Sequence, residues 1–290
     1  MSHDTLKRPA ARTGPPARRR ITLRPGAWLT WAVLAFFFVN LVGVIATVLL
    51  NSFGRRWFDS WLPDGWTSSW YKAAWKEFNL GPVLWTTVEV TFLVVALSLA
   101  LAVPASYALA RRNFPGKKIL TMLFVLPILV PPIAYGIPLA TVLYKFHLAG
   151  TVTGVVLANL VPSVPFVIFT MTPFIEQIDP KIEAAARMCG AGTWTVLSRI
   201  LSPLLLPGML AAGILVMVRT FGMFELTFLT SGPSSQTLTV DLFSAVNSAG
   251  IRATQSIDAM AVIYTASMTV LLLVALRFVN PTQLVARSSD

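Results

Sequence analysis

Six stretches of about twenty apolar residues recur along this chain, and each is long enough to cross the hydrocarbon core of a bilayer. They run over about 28–50, 83–109, 119–144, 151–175, 200–224 and 259–279. Only 12% of the 290 residues are charged and 55% are hydrophobic, where a soluble domain carries roughly 25% charged residues. So little charge cannot clothe a water-facing surface, and lipid must solvate much of the molecule. The sequence therefore predicts an all-α integral membrane protein in which residues 27–279 form one transmembrane domain.

The formal net charge of +11 raises the question of nucleic acid, and its placement answers it. Residues 1–26 hold Lys7, Arg8, Arg12, Arg18, Arg19, Arg20 and Arg24 against the single acid Asp4. Pro9, Pro15, Pro16 and Pro25 break the same stretch. A basic, proline-rich segment directly before an apolar run reads as a disordered cytoplasmic tail flanking a membrane span, with no nucleic acid partner. A cleaved leader is the competing reading, but Trp28–Leu50 is too long for the usual apolar core of one.

The turn Arg111-Arg112-Asn113-Phe114-Pro115-Gly116-Lys117-Lys118 carries four positive charges and no acid. The positive-inside rule places it in the cytoplasm, two crossings after the basic tail and in agreement with it. Parity then puts Glu176–Arg199 inside, Ser231–Ile257 outside and the 280–290 tail inside. Asn51–Leu80 falls outside with five of the nine tryptophans, Trp57, Trp61, Trp66, Trp70 and Trp75. Tryptophan gathers at the headgroup level, so short interfacial helices are expected at Trp57–Trp61 and Trp66–Trp70, with sugar stacking as the other use of those rings. The third run contains Pro127, Pro131, Pro132 and Pro138, and is expected to be a broken helix.

Several chemistries are excluded. Cys189 is the only cysteine, so the chain has no internal disulfide or thiolate metal site. His3 and His147 alone cannot form a metal cage, and no phosphate-binding G-x-x-x-x-G-K-[ST] run is present. The chain is expected not to be an enzyme and to bind no cofactor itself.

Between the fourth and fifth spans lies Asp179-Pro180-Lys181-Ile182-Glu183-Ala184-Ala185-Ala186-Arg187-Met188-Cys189-Gly190-Ala191-Gly192. Ile182, Ala185, Ala186 and Cys189 recur at helical spacing on one face, with Lys181, Glu183 and Arg187 off it. Asp179 suits an N-cap, Pro180 the first helical position and Gly190 the stop. The expectation is a two-turn cytoplasmic helix whose small side chains let another protein approach its backbone. An ordinary interfacial loop helix is the alternative.

This segment resembles the motif of permease subunits from binding-protein-dependent ABC importers: Glu-Ala-Ala, three residues, Gly, nine residues, Ile-x-Leu-Pro. Nine residues separate Gly190 from Ile200, and Pro203 stands at the motif proline, followed by Pro207. Counted back from Gly190, the first three motif positions are Ala184-Ala185-Ala186, so Glu183 sits one place early, and Ser202 replaces the leucine. The resemblance extends over about Val83–Phe278. It implies a multi-pass inner-membrane permease whose coupling helix, about Ile182–Gly190, docks on cytoplasmic ATP-binding subunits through Ile182, Glu183, Ala184, Ala185, Ala186, Arg187, Gly190 and Ala191. ATP and Mg would be used by that partner. A second permease, paralogue or self, and an extracytoplasmic solute-binding protein would complete the machine in the membrane lipid.

Charges within spans are costly and mark candidate substrate paths. Glu89, Arg219 and Glu225 are those candidates, with a structural polar group as the alternative for each. Arg219 and Glu225 are six residues apart and would not face each other on one helix. The segment Phe228–Leu238 resembles polyamine permeases, and to a lesser degree ferric-iron permeases, which favours a polyamine-like cargo, with sugars or other solutes as alternatives. An ion-coupled secondary transporter is the reading from another class, and internal repeats, which such carriers show, are not evident here.

Overall fold

The computed structural model describes residues 25–57, 62–248 and 253–277. The expected tails at 1–24 and 280–290 lie outside those residues. The chain divides into two units, Met1–Thr47 and Val48–Asp290. Helix α1, Pro25–Phe53, begins in the first and ends in the second. Its run from Trp31 through Phe38 to Thr47 has apolar residues on every face and no polar stripe, as suits a helix solvated by lipid.

In the second unit the described residues form helices throughout, joined by short loops. They are α2 (Ser69–Glu77), α3 (Leu80–Arg111), α4 (Lys117–Leu129), α5 (Pro132–Lys145), α6 (Val152–Glu176) and α7 (Pro180–Met188). A short α8 (Thr193–Thr195) and a π-helical turn (Val196–Leu201) lead into α9 (Ser202–Phe221). Then come α10 (Glu225–Thr230), α11 (Leu238–Asn247) and α12 (Thr254–Arg277). Five helices or continuous helical runs are long and apolar enough to cross a membrane: α1, α3, α6, α8 through α9, and α12.

The prolines of the third apolar run do what their chemistry requires. Pro131 has no amide hydrogen to donate, and it restrains Val130 to an extended backbone (ψ 132). α4 ends there, and α5 restarts at Pro132, bent by 102° from α4. The packing of the unit shows that this bent pair makes one net crossing. Tyr107 and Arg111, at the end of α3, bond to Glu183 of α7, so α3 and α6 both deliver the chain to one face. At the opposite face, the start of α6 meets the end of α10 through the Gly150 amide and the Thr230 carbonyl (2.8 Å). The start of α3 meets α11 there through Thr87 and the Leu238 amide (2.8 Å). α4 and α5 therefore carry the chain back between those faces once, and with this pair taken as one span the described residues hold up to six candidate spans.

The core of the unit lies where α3, α6 and α9 meet, around Val94, Val103, Ile168, Met171, Leu205 and Val216, all buried. In lipid, apolar burial alone does not drive helices together, so close fit has to do so. Gly208 provides it: a β-carbon there would stand 3.0 Å from the Phe174 ring of α6. A second cluster joins α2, α11 and the start of α12 through Ala74, Leu238 and Met260.

Two expectations are corrected. Among the described residues the tryptophan-rich loop forms one helix, α2, which holds Trp70 and Trp75 and starts after Trp66; Trp66 pairs with Gly54 in an isolated bridge, and the helix expected at Trp57–Trp61 lies mostly outside the described residues. The Trp70 indole donates to the Gly54 carbonyl (2.8 Å), a tertiary bond that periodicity cannot reveal. The fifth span ends at Phe221, not 224, and the loop after it folds into α10 and α11. Phe224, Phe228 and Phe243 clamp these two together with ring centroids 4.5–5.6 Å apart.

Candidate functional site

The segment between α6 and α9 is built by local rules that are visible residue by residue. The Asp179 carboxylate accepts from the Lys181 amide at 2.9 Å, and Pro180 fills the first helical position, where no amide hydrogen is needed. At the other end, the Ala191 amide donates to the Ala186 carbonyl (3.1 Å) and the Gly190 amide to the Arg187 carbonyl (3.0 Å). That pair of bonds is the Schellman closure, and it requires the left-handed backbone that Gly190 adopts at φ +86. Nothing lies within 4 Å of a β-carbon built on Gly190, so its space is open toward solvent.

The short helix presents two different sides. Ile182 (43% exposed), Ala184, Ala185, Arg187, Met188 (85%), Cys189 and Gly190 face outward. Ala186 and Ala191 are half-buried against the main core. Met188 and, just beyond, Trp194 (74% exposed) enlarge the apolar outward face, and neither was singled out from sequence.

Glu183 departs from the expected outward contact. It is 7% exposed and faces its own chain, so it is not placed to meet a docked partner. Its carboxylate accepts from the Tyr107 hydroxyl (2.8 Å) and from Arg111 Nε (2.8 Å). Arg111 also donates to the Ile178 carbonyl (2.5 Å), and Arg187 donates to the Tyr107 hydroxyl (3.2 Å). A buried ion pair withstands its desolvation only when further hydrogen bonds complete it, and here Tyr107 and Ile178 do so. The physical reason for the inward turn is angular. One residue along an α-helix is about 100° of rotation, so an acid one place early points elsewhere.

The three candidate path residues are placed unequally. Glu89 is half-buried on α3, two residues past Thr87. Arg219 is half-buried near the end of α9, its guanidinium 5.7 Å from the Phe166 ring centroid of α6. Glu225 is half-buried as the first residue of α10 rather than a member of α9. The break at Gly222–Phe224 places Arg219 and Glu225 on separate helices, so the helical-spacing objection falls away; on α5, which packs against α10, stands the Tyr135 hydroxyl. That hydroxyl and the Thr220 hydroxyl are buried without a hydrogen-bond partner. Sequence reasoning missed both because a lone Tyr or Thr in an apolar span has no distinguishing pattern. Elsewhere, a groove of about 270 Å³ opens between α3, α9 and α12, lined by Val95, Leu99, Met209, Gly213 and Leu271 among others. No charged side chain lines it, so it is unsuited to a polar solute.

Among the described residues, up to six candidate spans, one of them broken at Pro131, accompany the short, exposed α7 fastened to the end of α3. The family model described as the binding-protein-dependent transport system inner membrane component matches residues 102–284, and the chain belongs to that family. It is thus a multi-pass protein of the inner membrane. The chain is 33% identical over 135 residues to the probable ABC transporter permease protein y4oR of Sinorhizobium fredii, a match covering 47% of this chain and 48% of that one. It is 32% identical over 169 residues to the molybdenum transport system permease protein ModB of Haemophilus influenzae, covering 53% and 74%. The chain thus spans about half the length of the first relative and about three quarters of the second. A bacterial ABC transporter involved in the import of the acidic polysaccharide alginate shares the fold, with a TM-score of 0.71 over 87% of this chain and 94% of that one, at 17% identity.

Proposed function

We propose that this chain forms one half of the membrane pore of an ATP-driven importer, with Pro180–Gly190 as the helix that docks on a separate ATP-binding subunit. The observation that carries the reading is the two-sided α7. Ile182, Ala185 and Met188 stand exposed on a helix whose other side is tied to α3. An isolated amphipathic turn gains nothing from that outward apolar surface in water, whereas a docked protein would cover it. Family membership supports the same assignment, and it leaves the gradient-driven carrier without an observation of its own.

ATP and Mg belong to the partner subunit in this scheme. A second permease, identical or related, supplies the other half of the pore, and a solute-binding protein delivers cargo on the outer side. The polar route is read as running past Tyr135, Thr220, Arg219 and Glu225, where orphaned hydroxyls and charged groups can exchange hydrogen bonds with a passing solute. Glu89, half-buried on α3, is the remaining charged candidate for the route. The cargo is read as a polar solute. The narrower polyamine-like reading gains no support from the relatives above, whose names specify molybdenum in one case and alginate in another. Calorimetry on the solute-binding protein encoded beside this chain would identify it.

The docking assignment is tested by Gly190→Val and Ala185→Trp. Forcing a β-branched residue to φ +86 costs about 1–2 kcal/mol and opens the Schellman closure. The tryptophan places bulk on the outward face. Both variants should fold, yet lose most of the co-purified ATP-binding subunit and its stimulated hydrolysis in reconstituted vesicles. Full retention of both properties in both variants would remove α7 from this role.

A further inference from the structure

The inward carboxylate of Glu183 has a role that the docking assignment does not supply. α7 is only nine residues long, and a helix so short has little stability of its own. Two things hold it to the membrane domain: the half-buried Ala186 and Ala191, and the Glu183 cluster. The cluster is directional. Glu183 Oε1 takes Arg111 Nε and Oε2 takes the Tyr107 hydroxyl, so one carboxylate grips two residues that are one helical turn apart on α3. Arg111 then reaches the Ile178 carbonyl at the entry to α7, and Arg187 closes back on Tyr107. Both ends of α7 are thus bonded to the last turn of a single helix.

α3 is the helix to be gripped if movement of α7 is to reach the outer side. It runs 32 residues, Leu80–Arg111, from this cluster past Thr87, whose hydroxyl accepts from the Leu238 amide of α11. It is also packed along its length against α6 and α9, the other two walls of the core. A push on α7 delivered through apolar contacts alone would let the short helix slide. A push delivered through a two-point charged grip carries α3 with it.

We propose that Glu183 is the positioning residue that fastens the docking helix to α3, so that movement of a bound ATP-binding subunit is passed to α3 and through it to the outer face. This rests on the docking assignment above. The acid at this place serves an internal joint and not the contact between subunits.

The test uses the full complex of permease, ATP-binding subunit and cognate solute-binding protein in lipid nanodiscs. Basal ATP hydrolysis and its stimulation by the binding protein are measured separately. Glu183→Gln keeps the shape of the side chain and an acceptor for Tyr107 but removes the charge facing Arg111. It should retain the ATP-binding subunit at wild-type stoichiometry and hydrolyse at the basal rate, while stimulation falls by roughly ten-fold. Arg111→Gln should reproduce the loss. The exchange Glu183→Arg with Arg111→Glu should recover part of it, which a purely structural lesion would not. Unchanged stimulation in Glu183→Gln, or no recovery in the exchange variant where both single variants are impaired, overturns the proposal. If Glu183→Gln does not assemble, Glu183→Asp, which keeps the charge on a shorter arm, must restore assembly and partial stimulation; failure to do so also overturns it. A wild-type complex that binds no ATP-binding subunit overturns the docking assignment itself, and that result is distinct from all of these.

Discussion

Arg219 and Glu225 show how much a three-residue interruption changes at the scale of single side chains. On one continuous helix they would stand on different faces. With α9 ended at Phe221 and α10 begun at Glu225, the two charges stand on separate helices and no single helical register fixes how they lie to each other. Glu225→Gln keeps the volume and hydrogen-bonding capacity of the side chain but removes its charge. If the carboxylate meets the solute, transport should slow by roughly ten-fold or more, the lower end of the roughly 1.5–3 kcal/mol of a charged hydrogen bond, with complex yield unchanged. Uptake of the identified cargo into vesicles checks this; normal uptake with unchanged apparent affinity would move the route elsewhere. At this scale the sequence was only partly legible. The Asp179 cap and the Gly190 stop could be read because their reasons lie within five residues. The partner of Glu183 could not, because Tyr107 is 76 residues away and only packing brings it near.

Among the helices, the joint between α6 and α10 is the most exacting. The Gly150 amide bonds the Thr230 carbonyl, and a β-carbon on Gly232 would lie 2.8 Å from Gly150 Cα. The obstacle is backbone, so no side-chain adjustment can relieve it. Gly232→Ala should therefore displace α10 and cost about 1–3 kcal/mol, the range for overpacking, seen as a fall of several degrees in the melting temperature of detergent-solubilised protein. A melting temperature equal to wild type would show that the joint yields freely. The elements themselves were readable in proportion to their length. Long spans announce themselves by apolar runs, and their ends were placed within about eight residues. The break at Pro131 could be read from proline chemistry, but not its angle, which is set by what α5 packs against. α10 and α11 were missed because six and ten residues carry too little periodicity to separate a helix from a loop.

For the whole molecule, charge predicts the orientation, and the candidate spans together with the packing of α3 to α6 predict the count of crossings. The Arg111–Lys118 turn and α7 share a face, and the start of α6 belongs to the other. Single cysteines at Asn113 and His147, in a Cys189→Ser background, should react with an impermeant maleimide from opposite sides of the membrane. Position 113 should be cytoplasmic, together with a reporter fused after Arg20. Labelling of both cysteines from one side would make the bent α4–α5 pair a re-entrant hairpin and remove one crossing. The six-helix plan was legible because a bilayer forces every span to be apolar and of fixed length. What the sequence could not convey was the inner packing, since lipid-facing and core-facing residues are chemically alike.

The π-helical turn at Val196–Leu201 has a consequence for the helix that follows it. A turn closed by i→i+5 bonds holds one more residue than an α-turn, and about 100° of rotation goes with it. The nine residues that separate Gly190 from Ile200 are therefore wound partly at a different pitch from the rest. The extra residue sets the angular phase of α9 against the short α8 that leads into it. Deleting one residue within Val196–Leu201 would leave the run apolar and still turn every later side chain of α9, Arg219 included, by about 100° about the helix axis, as one skipped step turns the rest of a spiral stair.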